Sequence, residues 1–332
     1  MEVQEGRKGV PSLLSSQGEC IASNITQLIG WTPLIELKNV ATKDGISARL
    51  VGKIEPYQPL CSVKDRSALR LIEDAEERGL ILPGITTLAA VTSSNLGIGV
   101  AFVATQKGYK FIAVMAAKHS IDKQILLRYL GVEVILVGKK LSTMALILQD
   151  PALNGFKGLL DRVEQLKEEM ENVFIIDQFT NPANPDAHFR WTGPEIWKDT
   201  EGKVDIFLAA SGSGGTVTGV GRYLKMKNPS IKLICVEPAE SAVISGGEPA
   251  FHNIQGIGPG FVPEILDRSQ IDEIVTEILD RSQIDEIVTV AAREENKGKI
   301  IVTMFSSGGE RYLNSELFAQ VKEQCININK AF

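Results

Sequence analysis

Apolar residues cluster in short runs at 49–55, 86–91, 111–115, 133–137, 173–177, 205–210, 232–236 and 299–304, each with the length and makeup of a buried strand. Between them, apolar positions recur at helical spacing over 68–79, 97–108, 123–131 and 159–170, and several of these stretches end in glycine, a common helix stop. Strand and helix alternate, which predicts an α/β protein with mostly parallel sheets and helices on both faces. Two lobes are expected, with a ligand cleft between them at the carboxyl ends of the strands. Residues 50–160 are assigned to a smaller N-terminal lobe, residues 23–49 and 161–325 to a larger one, and residues 1–22 to a disordered N-terminal segment.

One segment breaks the pattern. Residues 264–276 are followed at once by an identical copy, residues 277–289. A repeat architecture needs at least about three units, and its copies drift apart. The pair therefore reads as a recent duplication or an assembly artefact.

Composition excludes several classes. The formal net charge of −6, with Lys and Arg interspersed among acids, argues against a nucleic-acid partner, which needs a clustered basic surface. Cys20, Cys61, Cys235 and Cys325 lie far apart, without metal-ligand spacing, so neither a zinc site nor a disulfide framework is expected. The first residues hold Glu2, Glu5 and Glu19 and no apolar stretch of the kind a secretory signal carries. No apolar run reaches membrane-spanning length, so a cytoplasmic protein is expected.

The chemistry centres on Lys64, in Cys61-Ser62-Val63-Lys64-Asp65-Arg66, between a strand-like run and a helix with the apolar face Ala68, Leu71, Ile72 and Ala75. Shielding its ammonium would lower its pKa and leave a nucleophilic amine. Far downstream, the strand-like 206–210 runs into Gly212-Ser213-Gly214-Gly215-Thr216 and then a helix. Backbone amides at such a turn, with the helix dipole behind them, bind phosphate. An amine and a phosphate cradle together suggest pyridoxal 5′-phosphate.

Taken singly, each feature has a plainer reading. Lys64 alone is an exposed residue at a helix start. The glycine loop alone is a tight turn, or part of an NAD(P) site with Glu237 as the ribose-binding acid, although Val217 stands where that fingerprint has its third glycine. Asn95 and Ser93 alone are turn formers, and Gln178 is a polar strand end. His119, His188 and His252 are isolated, which points to surface or structural roles. Packing is the default for Cys61.

Further motifs decide among these. Thr92-Ser93-Ser94-Asn95-Leu96-Gly97, Gln178-Phe179-Thr180-Asn181-Pro182-Ala183-Asn184-Pro185, Thr192-Gly193-Pro194-Glu195-Ile196-Trp197, Gly256-Ile257-Gly258-Pro259-Gly260-Phe261 and Gly309-Glu310-Arg311-Tyr312 stand in one order along the chain. With Lys64 and the glycine loop, they resemble plant cysteine synthase, also called O-acetylserine (thiol) lyase, and β-cyanoalanine synthase. The resemblance spans residues 20–276 and 291–325. It implies a two-lobed fold of the tryptophan-synthase β type (pyridoxal-phosphate fold type II), with the cofactor between the lobes. Lys64 would carry the cofactor and act as base. Asn95 would bond its ring oxygen, and Gly212, Ser213, Gly214, Gly215 and Thr216 its phosphate. Thr92, Ser93, Asn95 and Gln178 would hold the substrate carboxylate. O-acetylserine, sulfide, cysteine and cyanide are the implied substrates. A homodimer, and docking of the C-terminal tail of serine acetyltransferase, are the implied assemblies.

Four departures accompany the resemblance. Ser94 stands where the family has glycine, and Ala90-Val91 where it has Glu-Pro. Residues 137–149 are additional. A helix, a strand and a Gly-Ile-Ser-Ser-Gly-Ala segment, whose serine faces the cofactor's ring nitrogen, are missing between Val290 and Ala291. That loss predicts uncovered apolar surface and a weakened enzyme, or a catalytically dead homologue that acts by binding. Leu96 and Ser213 lean toward the cyanide branch, Leu96 by placing an apolar wall beside the substrate.

Overall fold

The computed structural model describes residues 21–92, 95–116, 121–137, 153–277, 283–315 and 318–330. Its strands are β1 (Leu34–Glu36), β2 (Arg49–Ile54), β3 (Thr87–Val91), β4 (Lys110–Ala116), β5 (Glu133–Val137), β6 (Val173–Ile175), β7 (Ile206–Ala210), β8 (Lys232–Pro238), β9 (Glu273–Glu277) and β10 (Ile300–Phe305). The helices are α1 (Lys38–Lys43), α2 (Lys64–Glu77), α3 (Asn95–Lys107), α4 (Ile121–Tyr129), α5 (Leu153–Glu169), α6 (Ala183–Ala187), α7 (Gly193–Asp199), α8 (Gly215–Lys227), α9 (Gln283–Ala291) and α10 (Ala319–Lys330).

Among the described residues the strands form two sheets, ordered β1-β2-β10-β7-β8-β9 and β5-β4-β3-β6. Every pairing is parallel except β1 with β2. Parallel neighbours need long crossovers, and helices supply them on both faces. In the larger sheet, Phe207, Ala209, Leu233 and Cys235 face α8 through Val217, Val220 and Leu224. Their neighbours Ile206, Leu208, Ile234 and Val236 face the opposite side. The smaller sheet packs Leu88, Ala90 and Ala113 toward α2 and α3, and Ala89, Ile112 and Val114 toward α5.

The small sheet is drawn from residues 87–175. β2 therefore belongs with the large sheet and β6 with the small one, which differs from the expected division at 50–160. Two strands escaped the sequence reading. β1 spans only three residues, and β9 lies in the duplicated string.

The two copies of that string fold differently. Residues 273–276 lie in β9, paired with β8, while the identical residues 286–289 lie in α9. Ile287, Val290 and Ala291 of α9 are buried against Leu50, Ile206, Ile234 and Ile301. The apolar face expected to be left open is thus covered on this side of the sheet by the second copy. The extra stretch after Val137, Ser93, Ser94 and His119, and residues 1–20 lie outside the described residues.

Candidate active site

Lys64 is the first residue of α2, and its surroundings fix where its amine goes. The helix has no side-chain cap at Val63, but Ser62 Oγ accepts from Lys64 N at 3.0 Å. Val63 N donates to Ser306 O at 2.8 Å, and Ser62 bridges to Ser307, so the turn is tied to the chain leaving β10. Cys61 adopts a left-handed φ of 56°, a strained choice for a residue with a Cβ. The stretch before it is pinned at Leu60, whose N–H donates to Asp65 Oδ2 at 2.7 Å and whose carbonyl accepts from Arg311 Nη2.

From this position Lys64 Nζ reaches Ser213 Oγ at 3.1 Å, across a sequence separation of 149 residues. Burial lowers the pKa of Lys64 to about 8, because a shielded ammonium loses its hydration.

Ser213 belongs to the loop that opens α8. Gly214 sits at the helix N-cap with φ +83°, where a side chain would be strained and would also meet Leu266 at 2.9 Å. A Cβ on Gly212 would lie 2.3 Å from the carbonyl oxygen of Gly256, and one on Gly215 would lie 2.3 Å from Asn184 Oδ1. Glycine is thus required at each position, and the loop leads straight into the first turn of α8, whose leading amides have no partner within the helix.

A buried polar cluster supports the loop from behind. Asn184 Nδ2 donates to Ser213 Oγ at 2.9 Å and to the carbonyl of Gln178 at 2.8 Å, while its Oδ1 accepts from Ser67 Oγ at 2.7 Å. His188 touches Thr216 Oγ1 at 3.3 Å and Thr192 Oγ1 at 2.9 Å. Burial, with Arg66 and Lys64 nearby, pushes the pKa of His188 well below its usual value and keeps the ring neutral. Asn184 lies inside a motif quoted for the resemblance. Ser67 carried no signal of its own.

Asn95 opens α3 on the other lobe. Gly99, one turn further on, leaves space for the carbonyl of Lys64, which a Cβ there would meet at 3.1 Å. Asn95 Nδ2 donates to Tyr312 Oη at 3.4 Å, and Tyr312 Oη lies 2.6 Å from Ser307 Oγ. Asn95 Oδ1 is buried without a hydrogen-bond partner among the described residues. Thr92 is buried at the end of β3, against Gly97.

Lys64 therefore meets the glycine loop directly, Gln178 joins that loop by its backbone carbonyl through Asn184, and Asn95 is connected through Tyr312 and Ser307. Two sequence-based expectations fail here. Leu96 is fully buried in the core beside α2 rather than walling the cleft, so the lean toward cyanide keeps only Ser213. Glu237 is buried, and its carboxylate accepts from Ile244 N at 2.7 Å and Ser245 N at 2.9 Å. It has no reach toward a ribose, which removes the acid that the NAD(P) reading required.

A nucleophilic amine, a glycine-rich helix start and a carboxamide with one buried end left unpaired fit an aldehyde that carries an anionic phosphate and a polar ring. The family model described as pyridoxal-phosphate dependent enzyme matches residues 25–308. Cysteine synthase 3 of Caenorhabditis elegans is 44% identical over 324 residues, covering 91% of this chain and 92% of the relative. Cysteine synthase of Staphylococcus aureus strain Mu50 is 40% identical over 317 residues, covering 89% and 97%. The crystal structure of cysteine synthase from Entamoeba histolytica superposes with a TM-score of 0.82 at 35% identity, covering 92% of this chain and 93% of that one. The fold and the matched model define a pyridoxal-phosphate dependent enzyme of fold type II. Within that class, the chain belongs to the cysteine synthase family.

Proposed function

We propose that this chain forms L-cysteine by replacing the acetoxy group of O-acetylserine with the thiol of sulfide, and that cyanide on cysteine is a secondary pairing. The observation that carries the reading is the 3.1 Å approach of Lys64 Nζ to Ser213 in the glycine loop, which brings an amine with a depressed pKa to the mouth of an anion site. Pyridoxal phosphate, when bound, supplies an electron sink for the substrate's α-carbon.

The chain's own groups do the rest. Lys64 Nζ would hold the cofactor by its aldehyde and would take the proton from the substrate's Cα. Amides of residues 213–216, with Ser213 and Thr216 hydroxyls, hold the phosphate against the positive end of α8. Asn95 orients the ring through its oxygen. Thr92, Ser93, Asn95 and Gln178 grip the substrate carboxylate, and Asn184 and His188 keep the loop from moving. The sheet-covering role of α9 supports an active enzyme rather than a dead homologue.

A Lys64→Ala variant tests this. It should lose the visible absorption of bound cofactor, and cysteine formation should fall by roughly 10²–10⁴-fold, the worth of a positioned acid–base group. An equally coloured, equally active variant would overturn the reading. The resemblance extends it to a cytoplasmic homodimer whose cleft accepts the C-terminal tail of serine acetyltransferase. Sedimentation with and without a tail peptide tests both assemblies, and a monomer unchanged by the peptide would rule them out.

A further inference from the structure

The segment leaving β10 touches both halves of the site. Ser306 and Ser307 tie down the turn before Lys64, Arg311 reaches the carbonyl of Leu60, and Tyr312 reaches Asn95 in the other lobe. Tyr312 also lies under Lys123 Nζ, 5.7 Å from the ring centroid, so its ring is held independently of its hydroxyl.

Hydrogen-bond accounting at Asn95 raises a chemical question. A carboxamide has an acceptor on one side and two donors on the other, and a half-turn exchanges them. As placed, Asn95 donates to Tyr312 at 3.4 Å and leaves Oδ1 buried without a partner. A phenol has one proton to give. With Ser307 Oγ donating into Tyr312 Oη at 2.6 Å, that proton is free for Asn95 Oδ1, and the turned carboxamide puts its N–H groups where the orphaned oxygen stood. This arrangement satisfies the orphaned acceptor, and a ring oxygen bearing negative charge needs donors in that place.

We propose that Tyr312, oriented by Ser307, is a positioning residue that locks the Asn95 carboxamide with its N–H donors toward the cofactor's ring oxygen. The proposal rests on the pyridoxal-phosphate reading given above. It assigns the Ser307 and Tyr312 hydroxyls to cofactor tuning as well as to packing.

Tyr312→Phe keeps the ring and its contact with Lys123 while removing the proton. The apo variant should melt like wild type. Its cofactor affinity should fall roughly two- to tenfold, the worth of one net hydrogen bond. The bound cofactor's absorption should shift toward the form with a protonated ring oxygen, because the donors that stabilise the anion are no longer aimed. Ser307→Ala should shift it the same way by less. Combining Tyr312→Phe with Asn95→Ala should add nothing to Asn95→Ala alone. A wild-type spectrum and affinity in Tyr312→Phe, or full additivity in the double variant, would overturn the proposal. If the wild-type chain itself takes up no pyridoxal phosphate, the failure belongs to the functional reading instead.

Discussion

Lys64 is where electrostatics and chemistry meet. Its pKa is lowered to about 8 because burial penalises the ammonium, whereas the unfolded chain keeps the ordinary value of 10.5. Between those values the unfolded chain binds more protons than the folded one, so stability should rise as pH rises through that window. The nucleophile is the neutral amine. Cofactor capture by the apo-enzyme should therefore speed up as pH approaches 8 and level off above it. Stopped-flow absorbance of pyridoxal phosphate uptake from pH 6 to 10 gives the profile. A rate still climbing toward 10 would mean that Lys64 is not shielded. Lys64 stood out in the sequence because the string around it is local. Asp65 beside it did not, although burial raises its pKa to about 7 against the opposing effects of the Leu60 N–H and Arg311. Arg311 is brought there by the fold, not by the string.

The duplicated segment shows the same limit for whole elements. Glu-Ile-Val-Thr is strand at 273–276 and helix at 286–289, so no propensity could have assigned both. Tertiary context decides. The first copy is anchored by Asp272, which pairs with Lys225 at 2.7 Å, and by Asp267, which pairs with Arg222 at 2.9 Å, while Ile274 sits opposite Cys235 in the sheet. The second copy turns Ile287 into the core formed with Val290 and Ala291. Twin substitutions separate the two conformations. Val275→Ala removes a β-branched side chain packed on the sheet and should cost about 1 kcal/mol or more. Val288→Ala puts the best helix former into a partly exposed helical position and should change stability by no more than about 0.5 kcal/mol either way. Denaturant midpoints of the two variants decide it, and equal losses would contradict a helix in the second copy. The long alternating elements were legible because period and length coincide there, as in β7, β8 and α2. By contrast, α6, α7 and the π-helical turn His188–Thr192 between them have no clean period and escaped.

At the scale of the whole molecule, the site depends on an ion cluster that sequence reading could not assemble. Arg66, two residues beyond Lys64, is fully buried and bonds Glu55 at 2.8 Å and Glu195 at 2.6 Å, and Lys53 meets Glu195 at 2.7 Å. Thr32 joins through Arg66 and Glu55. The motifs named the segments, but only the fold shows that β2, α2 and α7 converge on one guanidinium and set the direction in which α2 presents Lys64. Two cations face two carboxylates, so loss of one member leaves a buried charge uncompensated. Arg66→Met should therefore destabilise the protein by about 3–5 kcal/mol. The cluster also has a pH signature. Burial alone would raise the pKa of Glu195, but Arg66 and then Lys53 override it and hold the carboxyl at about 2. A folded value below the ordinary 4.5 means stability that is complete above that value and drains away as pH falls toward 2. Melting temperature followed from pH 6 down to pH 2 should drop across this window in the wild type. Glu195→Gln starts less stable, having lost the ion pairs, yet it should lose less further stability on acidification because the group that titrates is gone. Parallel acid profiles in the two proteins would show that the cluster does not set the lower pH limit of the fold, and that α2 is held chiefly by its apolar face.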